Sequence, residues 1–199
     1  MRKREGALSD VIEEMRHATG GCRAGRVSVG DLIGALDERG YGAALAVLPL
    51  LELTPVGGIP GFPTLLAVTI AIITVRMLLG YEHLWAPGWI NRRTLDARRA
   101  EASLAWLKPV AGRIDAQLHE RLVRLAGPVG RRVAGIAILC VLLTVPPLEV
   151  VPFATSAPMV VTSLFGLAIL FRDGLLMLVA GTALAAAMTG SLWLLFGGG

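Results

Sequence analysis

"GAALAVLPLLELTPVGGIPGFPTLLAVTIAIITVR" occupies residues 42–76, and its reading decides the fold. An apolar run over 42–53 carries Glu52 near its end. A string of helix breakers follows, namely Pro55, Gly57, Gly58, Pro60, Gly61 and Pro63, and a second apolar run continues over 64–79. At ~1.5 Å per residue neither run covers the ~30 Å hydrocarbon core of a bilayer, which takes ~20 residues. The stretch therefore predicts a helical hairpin broken in the middle. Arg76 closes it, and no Lys or Arg lies between Arg39 and Arg76.

The same grammar returns later as "GIAILCVLLTVPPLEVVPFATSAPMVVTSLFGLAILFR" over 135–172. Each block has a short apolar run, a glutamate, a proline-rich break, a proline opening the second run and a closing arginine. Glu149 corresponds to Glu52, Arg172 to Arg76, and Pro146, Pro147, Pro152 and Pro158 to the first set of breakers. Glu52 precedes Arg76 by 24 positions and Glu149 precedes Arg172 by 23. Greasy hairpins align by chance, but the shared order of the rare residues points to an internal repeat. Transporters are often built from such repeats, with sites at discontinuous helices near the membrane midplane. Parity favours parallel over inverted copies, while re-entrant and spanning hairpins would look alike.

Composition supports a membrane setting. The chain is 54% hydrophobic and 17% charged, against about 25% charged in soluble proteins. The charge is segregated. Residues 1–40 hold seven Lys/Arg and seven Asp/Glu, and 81–132 hold ten and five, while the rest carries just Glu52, Arg76, Glu149, Arg172 and Asp173. Five segments result. Residues 1–40 form an amphipathic cytoplasmic segment, 41–80 the first membrane hairpin, 81–132 basic interfacial helices, 133–172 the second hairpin, and 173–199 a C-terminal membrane helix with its full span at 175–196. The fold class is all-α: a polytopic membrane protein of two broken hairpins plus one span. Positive segments stay inside, which puts both charged segments in the cytoplasm. The basic excess sits beside apolar runs, so it points to anionic headgroups and not to nucleic acid. No secretory signal is apparent, and neither Cys22 and Cys140 nor the three histidines have metal-ligand spacing. No metal and no cofactor is expected.

Within the charged segments, 8–19 and 28–39 read as amphipathic helices, the first capped by Ser9 and the second by a Ser28/Asp31 capping box. Residues 94–126 read as an amphipathic hairpin broken near Pro109 and lying on the membrane surface. Trp85, Trp89 and Trp106 suit headgroup depth.

An acidic residue deep in a membrane costs about 2.5–3.5 kcal/mol, which makes Glu52 and Glu149 the candidate site. They would face a shared cavity and handle a proton or cation, with Thr54, Thr64, Thr155 and Ser156 adding hydroxyls. The competing reading has them bonding the free N–H groups of the broken helices. Pro63 and Pro158 suit the first turns of the returning helices, where a missing N–H costs nothing. Arg76 and Arg172 are either snorkelling anchors or charge partners of the glutamates. No catalytic constellation is present, so an enzyme is not expected.

"GDLIGALDERGYGAALAVLPLLELTP" (30–55), "IPGFPTLLAVTIAIITVRMLLGYEHLWAPGWINRRTL" (59–95) and "FRDGLLMLVAGTALA" (171–185) resemble the ExoD family of bacterial inner-membrane proteins, over nearly the whole chain. Glu52 stands where that family's pattern has a less charged residue. The resemblance implies a multi-pass protein of the bacterial inner membrane linked to exopolysaccharide synthesis. On this reading it is a small transporter or a lipid- or ion-translocating protein. A homodimer in the lipid bilayer is expected, with an anionic lipid or lipid-linked glycan as a further partner. The alternative is a non-transporting scaffold of exopolysaccharide assembly.

Overall fold

In the computed structural model the described residues are 7–20, 26–37, 40–54, 57, 59, 61–81, 83–85, 87–117, 127–149 and 155–196. The elements run α1 (Ala7–Gly20), β1 (Arg26–Ser28), α2 (Val29–Asp37), α3 (Gly40–Glu52), α4 (Phe62–Leu78), α5 (Gly88–Asn91), β2 (Thr94–Asp96), α6 (Ala97–Gln117), α7 (Pro128–Leu142), α8 (Val145–Leu148), α9 (Ser156–Phe171) and α10 (Gly174–Phe196). The protein is mainly helical, as the apolar periodicities require. A small antiparallel ribbon, β1 with β2, pairs Val27 with Leu95 and joins the two charged segments. It was not expected, because three-residue strands carry no readable alternation.

α3 is apolar on every side, and it is buried from Tyr41 to Pro49 and again at Leu51 and Glu52. A helix without a polar face belongs in the middle of a core, and α3 sits there, covered by α9, α4 and α2. The contact with α9 is antiparallel and close. Gly42 faces the backbone of Leu170, where an added Cβ would lie 2.9 Å from the Leu170 Cα, and Gly166 faces Leu45 and Ala46. The Ser163 hydroxyl donates to the Ala46 carbonyl across the same contact, 2.8 Å away. On the other side of the unit α4 packs antiparallel on α7, with Gly135 against the Leu78 side chain. So the first helix of each hairpin lies against the second helix of the other.

The N-terminal helices are part of this body. α1 packs on α6, and Leu8, Ile12 and Met15 from one, with Leu104 and Leu107 from the other, are fully buried in one core with α3. The amphipathic faces of 8–19 and of α6 are thus satisfied by protein and not by a bilayer surface. α6 is also one continuous helix with Pro109 inside it, which corrects the expected break there; residues 118–126 lie outside the described set. A proline in a helix interior removes one hydrogen bond without ending the helix when tertiary packing holds both sides.

Ser9 does not cap α1. Asp115 of α6 does so from outside, accepting the Leu8 and Ser9 amides and the Ser9 hydroxyl at 2.6–2.9 Å. The capping box on α2 is present as expected: the Ser28 amide donates to Asp31 at 3.2 Å and the Asp31 amide to the Ser28 hydroxyl at 3.0 Å. On the exposed rim Lys108 bonds Glu13 at 2.9 Å, and this contact holds the Glu13 carboxyl below its usual range.

α10 covers the stretch expected as a full membrane span. No helix among the described residues, however, is long and apolar enough to cross a membrane.

Candidate functional site

Both helical breaks lie at one end of the four-helix unit, because α3 and α8 end there and α4 and α9 begin there. Pro63 is in the first turn of α4 and Pro158 in the first turn of α9, where the missing N–H removes no helical bond. Gly61 takes the left-handed conformation before α4, with φ 82°, which glycine adopts without strain. Gly57 lies so close to the Glu52 carbonyl that a side chain there would overlap it. Pro146 and Pro147 are inside the short helix α8. Pro55, Gly58, Pro60 and Pro152 lie outside the described residues.

Each glutamate reaches across to the helix that opens in the other hairpin. Glu52, at the end of α3 and 7% exposed, accepts a hydrogen bond from the Thr155 hydroxyl at 2.5 Å. Ser156 interacts with the same carboxylate. Its other oxygen, Oε2, is buried without a hydrogen-bond partner. Glu149, just past α8 and half-buried, accepts from the Gly61 amide at 2.5 Å and from the Thr64 hydroxyl. Glu149 thus caps the start of α4, where N–H groups lack intrahelical partners and the dipole favours negative charge, while Glu52 meets a hydroxyl at the start of α9. The arrangement ties hairpin to hairpin twice at one end.

Of the candidate hydroxyls, Thr64, Thr155 and Ser156 meet the glutamates. Thr54 does not: its hydroxyl turns back to the Leu51 carbonyl of its own helix. Arg76 and Arg172 do not partner the glutamates, which are at the far end of the unit. Arg76 stacks on the rings of Tyr81 and Trp85, 4.3 and 5.3 Å from their centroids, and its buried Nε has no hydrogen-bond acceptor. Arg172 is exposed and ends α9 in the left-handed conformation.

Sequence reading missed a feature at that far end. A cleft of about 410 Å³ opens between the start of α3, the end of α4 and the start of α7, lined by Tyr41, Met77, Leu78, Tyr81, Arg131 and Arg132 together with Gly80 and Pro128. The Tyr41 hydroxyl donates to the His83 carbonyl at 2.9 Å and braces its rim. The available signal is "GPVGRR" (127–132), a helix start followed by paired arginines. It is masked by the general positive charge of 81–132. Among the described residues no group of three or more His, Cys, Asp or Glu side chains is placed to hold a metal.

A family model described as "Exopolysaccharide synthesis, ExoD" matches residues 8–194. The chain is 28% identical over 177 residues to Protein ExoD of Rhizobium meliloti (strain 1021), covering 88% of this chain and 71% of that protein. It is 22% identical over 187 residues to the uncharacterized protein slr1875 of Synechocystis sp., covering 89% of this chain and 84% of the relative. No solved structure matches. The matched region takes in both hairpins, both glutamates and the cleft, and the chain belongs to the ExoD exopolysaccharide synthesis family.

Proposed function

We propose that this protein is a small translocator of the bacterial inner membrane serving exopolysaccharide synthesis, with its two hairpins as parallel copies of one unit. One observation carries the reading: the unit is tied at one end by two reciprocal carboxylate contacts and has a cleft at the other. A protein that exposes a path to one side at a time needs two ends of different construction, and the tied end is held by groups whose charge a proton removes.

Embedding in the bilayer accords with the surface. Val129, Val133, Ile136 and Leu143 of α7 and its neighbouring turn, from 57% to 77% exposed, fall on one helical face with Cys140. Leu79, Leu175, Leu178 and Val179 add further exposed apolar surface. A contiguous patch of this kind is rare on water-facing proteins. Trp85, Trp89 and Trp106 are half-exposed, as headgroup-level aromatics are. α4 rises only ~25 Å over its 17 residues, so the breaks lie within the hydrocarbon. Irregular backbone is tolerated there only when its polar groups are satisfied by protein, and the Gly61 amide has such a partner in Glu149. A chain of this size encloses a pathway with a second copy of itself.

The test uses proteoliposomes loaded with a pH-sensitive dye. Wild type dissipates an imposed pH gradient, and Glu52→Gln and Glu149→Gln each slow it at least tenfold while purifying intact. Equal rates in all three favour the second reading, a non-transporting assembly component. That reading draws on the fact that both carboxylates already make contacts between the hairpins at helix starts.

A further inference from the structure

We infer that the cleft between α3, α4 and α7 is a binding site for the phosphate headgroup of an anionic lipid. The inference deepens the translocator reading by naming the chemistry admitted at the cleft end, and it stands on the cleft's own construction.

Arg131 and Arg132 both line the cleft, and no carboxylate is among its described lining residues. Consecutive helical residues point ~100° apart, and both of these line the one cleft, so its wall carries two guanidinium side chains. Paired, planar fork donors suit the several oxygens of a phosphate better than a single carboxylate. The same residues open α7, whose N-cap is Gly127 and has no side-chain cap. The helix start thus adds its positive end to that of the arginines. Tyr81 lines the cleft and stacks on Arg76, 4.3 Å from its ring centroid, which puts a third cation beside a lining residue.

The rest of the wall calls for an apolar attachment. Met77 and Leu78 are apolar lining residues, and Leu78 also packs on Gly135 of α7. Next to lining residues in sequence stand exposed apolar ones, Leu79 at 69%, Val129 at 74% and Val133 at 61%. A free inorganic anion would use the cationic half and leave these apolar residues in water. A lipid uses both, its headgroup among the arginines and its chain along Leu79, Val129 and Val133. A volume near 410 Å³ is in the range of ligand-sized pockets, about 300–1,000 Å³.

The experiment measures equilibrium binding to the full chain in neutral detergent, with phosphatidic acid, phosphatidylcholine and inorganic pyrophosphate as probes. Phosphatidic acid binds the wild type, and phosphatidylcholine, whose phosphate is paired with its own ammonium, binds at least tenfold more weakly. The double variant Arg131→Ala/Arg132→Ala loses at least tenfold in affinity for phosphatidic acid, with an unchanged melting temperature. The control Arg98→Ala/Arg99→Ala removes two exposed charges from α6 and leaves binding as it was. If pyrophosphate alone binds, or binds as tightly as the lipid, the site takes free phosphate and the lipid assignment is overturned. Equal loss in the control, or no loss in the Arg131/Arg132 variant, overturns the site. This outcome is independent of flux: a chain that binds phosphatidic acid here but dissipates no pH gradient keeps the cleft and rejects translocation.

Discussion

Two helix contacts correspond under the proposed repeat, α3 on α9 and α4 on α7, and they are built differently. In the first, glycines at 42 and 166 bring backbone against backbone, and a hydroxyl–carbonyl bond from Ser163 to Ala46 locks the register. In the second, Gly135 meets only the mobile end of Leu78, and the outer face of α7 is open. The glutamates divide in the same way. Glu52 is buried with one oxygen satisfied by Thr155, while Glu149 is half-exposed and bonded on both oxygens. The difference is one of construction: the first contact sets backbone against backbone with its register locked, and its counterpart meets through a side chain. The cleft lies along that second contact.

The largest test of this difference is Gly166→Ala. Its Cβ would fall on the Leu45 carbonyl carbon and the Ala46 nitrogen, and backbone cannot step aside as a side chain can. Overpacking a close-fitted core costs typically about 1–3 kcal/mol, and backbone collision puts this variant near or above ~3 kcal/mol in thermal unfolding. A change below ~1 kcal/mol, the low end of that range, would remove the distinction between the two contacts.

Next in size are the carboxylate contacts, compared by two double-mutant cycles, Glu52→Ala with Thr155→Val and Glu149→Ala with Thr64→Val. A hydrogen bond to a charged group contributes about 1.5–3 kcal/mol, less where water competes. The buried Glu52–Thr155 pair is expected to couple by ~2 kcal/mol and the half-exposed Glu149–Thr64 pair by ~1 kcal/mol or less. The Gly61 amide still bonds Glu149 in the Thr64 variant, which lowers the second value further. The reverse order would mean that the α4–α7 side is the more firmly held one.

Much of this was legible in the sequence, and the limits have physical causes. The apolar runs, the Pro/Gly breaks and the positions of Pro63 and Pro158 mark their helices because proline and glycine act locally. The glutamates stood out because charge is rare in such runs; of the two, Glu149 bonds a backbone amide before a helix, and Glu52 meets a hydroxyl instead. Which hydroxyl each would meet was not legible for Thr54, whose bond to Leu51 depends on one rotamer. The destination of α1 and α6 was missed for a different reason. An amphipathic face says that something apolar covers it, and the same pattern serves a bilayer or another helix. Asp115, the cap of α1, is more than a hundred positions from the residues it bonds, so no local pattern announces it. The cleft arises where three helix ends meet, and only the arginine pair was visible beforehand.

Gly135→Ala carries the smallest expected change, and its value is that it mirrors Gly166→Ala. An added Cβ there would lie 2.7 Å from Leu78 Cδ2, the far end of a side chain with rotamers to spare. Replacing glycine by alanine inside a helix gains about 0.5–1 kcal/mol from backbone entropy. Moving Leu78 costs a similar amount, so the two nearly cancel and the melting temperature should shift little in either direction. The same entropic gain applies at Gly166, which makes the pair a controlled comparison in which helix propensity drops out and only the nature of the opposing atoms differs. If Gly135→Ala destabilised as strongly as Gly166→Ala, Leu78 would have nowhere to go. The α4–α7 contact would then be as rigid as its counterpart, and the shift that the translocator reading requires would have to occur elsewhere.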